Sequence, residues 1–227
     1  MSNRRASLSA AASLALLLAA CQPAPAPTEA TFEVRGALGG EADPGFARAE
    51  RPREFVFPDD HGPHPSFRNE WWYLTGNLES EVGQRFGFQI TFFRIAISPT
   101  PPETDSGWAT NQVWMGHFAI TDATRRDHHA SERFARGALG LAGATSAPPR
   151  IWLEDWRLNG PTRPGEPWQL WIRDGEHALE LELESQKRPV LQGDDGLSQK
   201  SSEPGNASYY YSLTRLDASG RLVSNGV

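Results

Sequence analysis

The sequence predicts an all-β fold of antiparallel strands, and three observations predict it. Hydrophobic and polar residues alternate in HALELELES (177–185) and in RFGFQITFFR (85–94), which is the two-residue period of a strand. Turn formers recur at short intervals, as in Glu81-Val82-Gly83, Asn159-Gly160-Pro161 and Asp174-Gly175, so the strands are joined by hairpins. No helical periods alternate with the strands, as a parallel sheet would require. Strands of this kind close into a barrel or pack as a sandwich, and alternation alone does not choose between the two.

Taken in order, residues 1–20 read as a lipoprotein leader. Arg4 and Arg5 form a basic start, Leu8 to Ala20 an apolar run too short to span a bilayer, and Leu18-Ala19-Ala20-Cys21 a lipobox. Cys21 is the only cysteine, which excludes an internal disulfide and puts the thiol at the position where a lipoprotein is acylated. Residues 21–53 are a Pro/Ala-rich tether and lead-in, with QPAPAPTEA favouring extended backbone and a short helical turn expected at Phe46–Glu50. The domain proper is placed at 54–227.

Within it, strands are expected at 71–78, 85–94, 112–122, 150–158, 168–173, 177–185 and 208–216. In the second of these, Phe86, Phe88, Ile90 and Phe92 face one way, and Gly87, Gln89 and Thr91 the other. Residues 123–149 read as a long excursion with room for one irregular helix, weakened by its glycines. GDDGLSQKSSEPGN (193–206) reads as a polar loop over one end of the sheet, and the tyrosines 209–211 as a strand with rings on both faces.

Composition excludes some classes of function. The net charge is −6 and no basic cluster occurs, so nucleic acid is not an expected partner. No Gly-x-Ser-x-Gly elbow is present, and the lone cysteine belongs to the leader, which leaves no local signature of nucleophilic hydrolysis. Eight tryptophans are many for this length; they suit either a tryptophan-rich core or an aromatic-walled chamber.

The most informative stretch is HGPHPSFRNEWWYLTGN (61–77). It puts two histidines among turn formers, then an acid, then three large aromatics. On a strand, Glu70, Trp72 and Leu74 point one way, and Trp71, Tyr73 and Thr75 the other, so one set must line a core or cavity with Glu70 at its mouth. With the preceding residues this run, FPDDHGPHPSFRNEWWYLTGNL, resembles the signature of the lipocalin-like proteins grouped as the CrtC/AttH type, which include carotenoid 1,2-hydratases. RFGFQITFFR, QVWMGHFAITD (112–122) and QGDDGLSQKSSEPGNASYYYSLTRL (192–216) agree in order and spacing, so the resemblance spans roughly 54–222. It implies a lipocalin-like (calycin-type) barrel, incomplete at the C-terminus, since members usually carry a second similar barrel and a C-terminal Asp/His/Trp motif with no counterpart here.

The functions that follow are a hydrophobic small molecule or lipid held in the barrel or, alternatively, hydration of an alkene by a carboxylic acid. Aromatic faces would then steady the tertiary cation. The expected catalytic residues are Glu70, His117 and Asp155. His117 lies mid-strand beside Gly116, which leaves room for a ligand or for close backbone approach. In IWLEDWRL (151–158) either Glu154 or Asp155 should fall among hydrophobics, its pKa raised by burial, or paired with Arg150, Arg157 or Arg94. The expected ligand-binding residues are Trp71, Trp72, Tyr73, Gln89, Trp114, Trp152 and Tyr210. His61 and His64, with Glu70 or His117, offer nitrogen and oxygen ligands, but their spacing matches no strong metal motif, so neither a metal nor another cofactor is expected. Acylation of Cys21, followed by Gln22, implies a bacterial envelope protein anchored in the outer membrane and facing the periplasm. A second lipocalin-like domain is a further possible partner.

Overall fold

A computed structural model of the chain describes residues 45–226, Pro164 excepted. Cys21, the leader and most of the tether lie outside the described residues. Two antiparallel sheets carry the fold. The first has the order β1-β2-β3-β4, from β1 (Asn69–Glu79), β2 (Arg85–Ala96), β3 (Gln112–Asp122) and β4 (Asp127–Arg136). The second contains β5 (Ala142–Ser146), β6 (Pro149–Leu153), β7 (Trp156–Asn159), β8 (Trp168–Asp174) and β9 (His177–Ser185) as neighbours in chain order, with β14 (Leu216–Val223) beyond β9. Between β9 and β14, β10 (Val190–Leu191) pairs with β13 (Tyr211–Ser212), and β11 (Leu197–Gln199) with β12 (Ala207–Tyr209). Among the described residues no helix is long and apolar enough to cross a membrane.

The inner faces follow the alternation. Phe88, Ile90 and Phe92 of β2 and Trp114, Phe118 and Ile120 of β3 pack against Ile151, Leu153, Trp156, Leu170, Ile172, Leu179 and Leu181 of the second sheet. Removing these side chains from water contributes roughly 1.5–3 kcal/mol each. Gly116 lets the sheets approach: a Cβ there would lie 2.7 Å from Leu153 Cδ2 and 2.9 Å from the Trp156 ring. The room beside His117 is therefore filled by the opposite sheet.

The sheets do not close into a complete barrel among the described residues. β1 and β14 are the outermost strands of their sheets, and a cleft lies between them.

Several expected elements differ. Residues 123–149 hold two strands, β4 and β5, and no helix. The strand expected over 150–158 is a hairpin, because Glu154 takes a left-handed φ of 56° and turns the chain at Glu154-Asp155. Both acids are exposed as a result, so neither sits among hydrophobics. Phe46–Glu50 forms no helical turn beyond a bend at its start. The 193–206 loop contains β11, and the tyrosine strand breaks at Tyr210.

Candidate functional site

The cleft between β1 and β14 has a volume of about 590 Å³. Its apolar wall comes from the inner face of β1 (Trp72, Leu74, Leu78), from Phe88, and from Leu158, Trp168, Leu183 and Leu216 of the second sheet and its edge. Tyr209, Tyr210 and Tyr211, in the segment leading to β14, form another part of the lining. The expected aromatic chamber thus exists beside the core rather than within a closed sheet. Trp114 and Trp156 fill the space between the sheets, and Trp72 stacks on Trp114 at 5.8 Å.

At one end of the cleft the loop before β1 builds a polar cluster. Glu70 and Arg94 continue the inner faces of β1 and β2, and the antiparallel register sets them opposite each other. Arg94 is 1% exposed, and its Nε donates to Glu70 Oε2 at 3.1 Å. Its Nη2 donates to the carbonyls of Phe67 (2.7 Å) and His64 (3.1 Å), tying the loop down from inside. The His64 ring lies between two carboxylates, with Nδ1 2.6 Å from Glu70 Oε1 and Nε2 2.8 Å from Asp60 Oδ1. Its backbone N–H also donates to both Glu70 oxygens at 3.0 Å. The hydrogen bond to Glu70 outweighs burial and raises the His64 pKa above 6.5, which favours an imidazolium donating from both nitrogens.

Burial pushes the Asp60 carboxyl up, but hydrogen bonds from Arg53, the Val56 N–H and His64 outweigh it and bring the pKa below 3.8. Removing Glu70 costs roughly 3–5 kcal/mol, because it leaves the buried Arg94 guanidinium with carbonyl partners and no counter-charge, whereas removing Arg94 leaves Glu70 with the His64 ring.

His61 behaves in the opposite way. Burial lowers its pKa to about 4 against the pull of Asp60, so the ring is neutral at pH 7. Its Nδ1 lies 2.7 Å from the Tyr211 hydroxyl and shares a hydrogen bond with it. Burial likewise raises the Tyr211 pKa, keeping the phenol protonated. The His61 carbonyl accepts from Trp72 Nε1 at 2.9 Å, and the ring meets Trp168 edge-on at 5.0 Å. Gly62 rests on the β5–β6 hairpin of the second sheet, where a Cβ would come within 2.1 Å of Ser146 Oγ. The loop therefore touches both sheets.

Glu70, Trp72 and Tyr210 are brought to the cleft as expected residues of the site. Trp71 and Tyr73 flank it from the same strand, but their rings are on the outer, exposed face. The remaining expected residues lie elsewhere. Gln89 is exposed on the outer face of the first sheet, where His117 also projects, 2.7 Å from Glu132 on β4. Trp114 belongs to the inter-sheet core, and Trp152 is on the outer face of its sheet, donating to the Gly140 carbonyl at 2.9 Å. Asp155, in the β6–β7 turn, pairs with Arg133, not with Arg150, Arg157 or Arg94. Among the described residues, no three His, Cys, Asp or Glu side chains are placed to hold a metal ion.

Arg53, Asp60, Arg94, Tyr211 and Trp168 were not anticipated as site residues. Arg94 left a signal in the sequence: it follows Phe86, Phe88, Ile90 and Phe92 on the buried face, where a cation requires a carboxylate.

The geometry matches known proteins in the same region. The family model described as AttH-like matches residues 48–227. A crystal structure of an AttH candidate from Nitrosomonas europaea aligns with a TM-score of 0.70 and 32% identity, over 80% of this chain and 54% of that one. The chain thus spans about half the length of that relative. No curated protein matches the chain. By its fold and by the match over 48–227, which takes in the whole signature loop and the cleft, the chain belongs to the AttH-like family.

Proposed function

We propose that the protein is an exported, lipid-anchored lipocalin-like protein whose cleft binds a hydrophobic small molecule or lipid. The observation that carries this reading is the cleft of about 590 Å³ walled by Trp72, Leu74, Leu78, Phe88, Trp168 and Leu216. Small-molecule sites commonly enclose about 300–1,000 Å³ with mostly apolar walls and a few fixed polar groups. Its polar groups are gathered at one end and are largely bonded to one another, which leaves the apolar wall for the body of the ligand. The lipobox at Cys21 supports anchoring in the bacterial envelope, in the outer membrane facing the periplasm. A second lipocalin-like domain is a further proposed partner, because β1 and β14 each present an outer edge along the cleft.

Alkene hydration is the less economical reading. It needs a neutral acid facing the apolar wall, whereas Asp60 and Glu70 are both held by cations, and His117 and Asp155 point away from the cleft. The test is to isolate the protein from its own membrane and identify co-purifying molecules by mass spectrometry. A stoichiometric hydrophobic compound, lost in Trp72→Ala, is expected. An empty cleft in the native protein, with no uptake of added hydrophobic probes, would overturn the reading.

A further inference from the structure

Among the described residues, a group of large apolar side chains is uncovered at one end of the two sheets. Ile97 follows β2, Trp108 stands in the loop between β2 and β3, and Leu139 and Leu141 follow β4; they are 64, 58, 56 and 38% exposed. Backbone bonds hold these segments side by side. The Ile97 N–H donates to the Asn111 carbonyl at 2.8 Å, and the Gly137 N–H to the Gln112 carbonyl at 3.0 Å. Gly107, next to Trp108, faces the Leu139 side chain, which would lie 3.0 Å from a Cβ there. Leu139 is unfavourable twice over: it takes a left-handed φ of 52° and still holds its side chain in solvent. Glycine or asparagine suits that backbone better, so a leucine there is explained by what its side chain meets.

The path of the chain says what that is. The first described residue, Gly45, lies against Pro99 of the same β2–β3 loop, and the Ala47 N–H donates to the Ser66 carbonyl at 2.8 Å. The described chain therefore enters the domain at this end, not at the opposite end where Val82 turns between β1 and β2. Tryptophan and leucine together favour the boundary between headgroups and acyl chains. Glu103 and Asp105 are exposed in the loop that carries Trp108, and they oppose an anionic surface.

We propose that the rim formed by Ile97, Trp108, Leu139 and Leu141 is the membrane-facing surface of the protein, seated in the interface of a zwitterionic bilayer. This rests on the lipid anchor proposed above but not on occupancy of the cleft. The signature loop lies at the same end, since the Ala96 N–H donates to the Arg68 carbonyl at 2.8 Å. The polar cluster is thereby held on the membrane side of the domain.

The test uses the full protein isolated from membranes and reconstituted in phosphatidylcholine vesicles with brominated acyl chains, which quench nearby indoles. Tryptophan emission is expected to fall, and Trp108→Phe should abolish at least half of that fall, while Trp171→Phe, on the outer face of the second sheet, should leave it unchanged. Leu139→Asn should raise thermal stability by relieving its backbone, yet weaken the quenching; a leucine of purely structural value would not separate the two. Quenching that is absent, or that survives Trp108→Phe intact, overturns the proposal. An unacylated Cys21 in the mass spectrum overturns it through the anchor. Ligand retention, read by extraction, fails or succeeds independently of these outcomes.

Discussion

The two flanks where the sheets meet are built on opposite principles. Along β4 the contact is a polar seam. His129 Nε2 lies 2.8 Å from Asp174 Oδ2, and its ring stacks on His177 at 3.9 Å. Arg133 donates to the Arg173 carbonyl at 2.7 Å, pairs with Asp155, and covers the Trp156 ring at 4.5 Å. Asn225 donates to Asp127 at 2.8 Å. Along β1 and β14 the strands part, and apolar walls line the cleft between them. The comparison shows one flank of an apolar core closed by polar contacts, and the other left with apolar surface that no described residue covers.

That contrast can be broken from either flank. A large effect is expected where the cleft meets the buried ion pair. Arg94→Met should destabilise by roughly 3 kcal/mol in urea unfolding, because Glu70 loses its buried guanidinium and keeps only the His64 ring and N–H as partners. The double variant Arg94→Met/Glu70→Gln should recover much of that loss; if it is no better than the single change, the pair is not the cause. In the core under the seam, Trp156→Ala should lose about 3–5 kcal/mol as well. Trp72→Ala, on the cleft wall and partly exposed, should lose clearly less stability but more bound ligand. Equal losses in both measurements for the two variants would erase the distinction drawn here.

Acid should act on individual histidines with opposite sign. Burial, followed by the charge of His129, lowers the His177 pKa below 6.5, against the pull of Asp127, Asp174 and Glu176. The folded state then binds its proton less readily than the unfolded chain, so the stability it contributes is full above pH 6.5 and is lost as pH falls below that value. His64 is raised, so its contribution is full below pH 6.5 and is lost as pH climbs through its folded value. His61, with a pKa of about 4, adds an acid sensitivity of the same sign as His177. Stability measured from pH 7 to 5 should therefore fall less steeply in His177→Phe than in the native protein, and amide exchange in β4 should lose its acid acceleration. An unchanged pH slope would remove His177 from the seam's response. The smallest effect is expected at Asp155→Asn, where an exposed pair with Arg133 contributes about 0–1 kcal/mol. Any loss of ligand in that variant would argue for a chemical role that its position does not suggest.

The same contrast explains what could be read in the sequence. β9 was legible because His177, Leu179, Leu181 and Leu183 alternate with solvent-facing residues against an apolar partner sheet. β4 was not, because the face it turns to the second sheet carries Asp127, His129, Ser131 and Arg133. Its strand period is intact but written in polar residues, and its partners come from turns and strand ends 22 and 45 residues away, such as Asp155 and Asp174. The hairpin at Glu154-Asp155 was hidden because no glycine marks its left-handed residue. In the site, Glu70 and Trp72 were legible from the alternation of one strand. Arg53, Asp60 and Tyr211 were not, since their meeting depends on a loop crossing from one sheet to the other.

The contact between Gly62 and Ser146 is where that crossing loop bears on the second sheet, with no clearance for a methyl group. The width of the cleft is then set partly at this point of support, like a shim beneath a door, beside the contact of His61 with Trp168. A bulkier side chain at the position of Ser146 is therefore expected to lift the loop and widen the gap between the sheets.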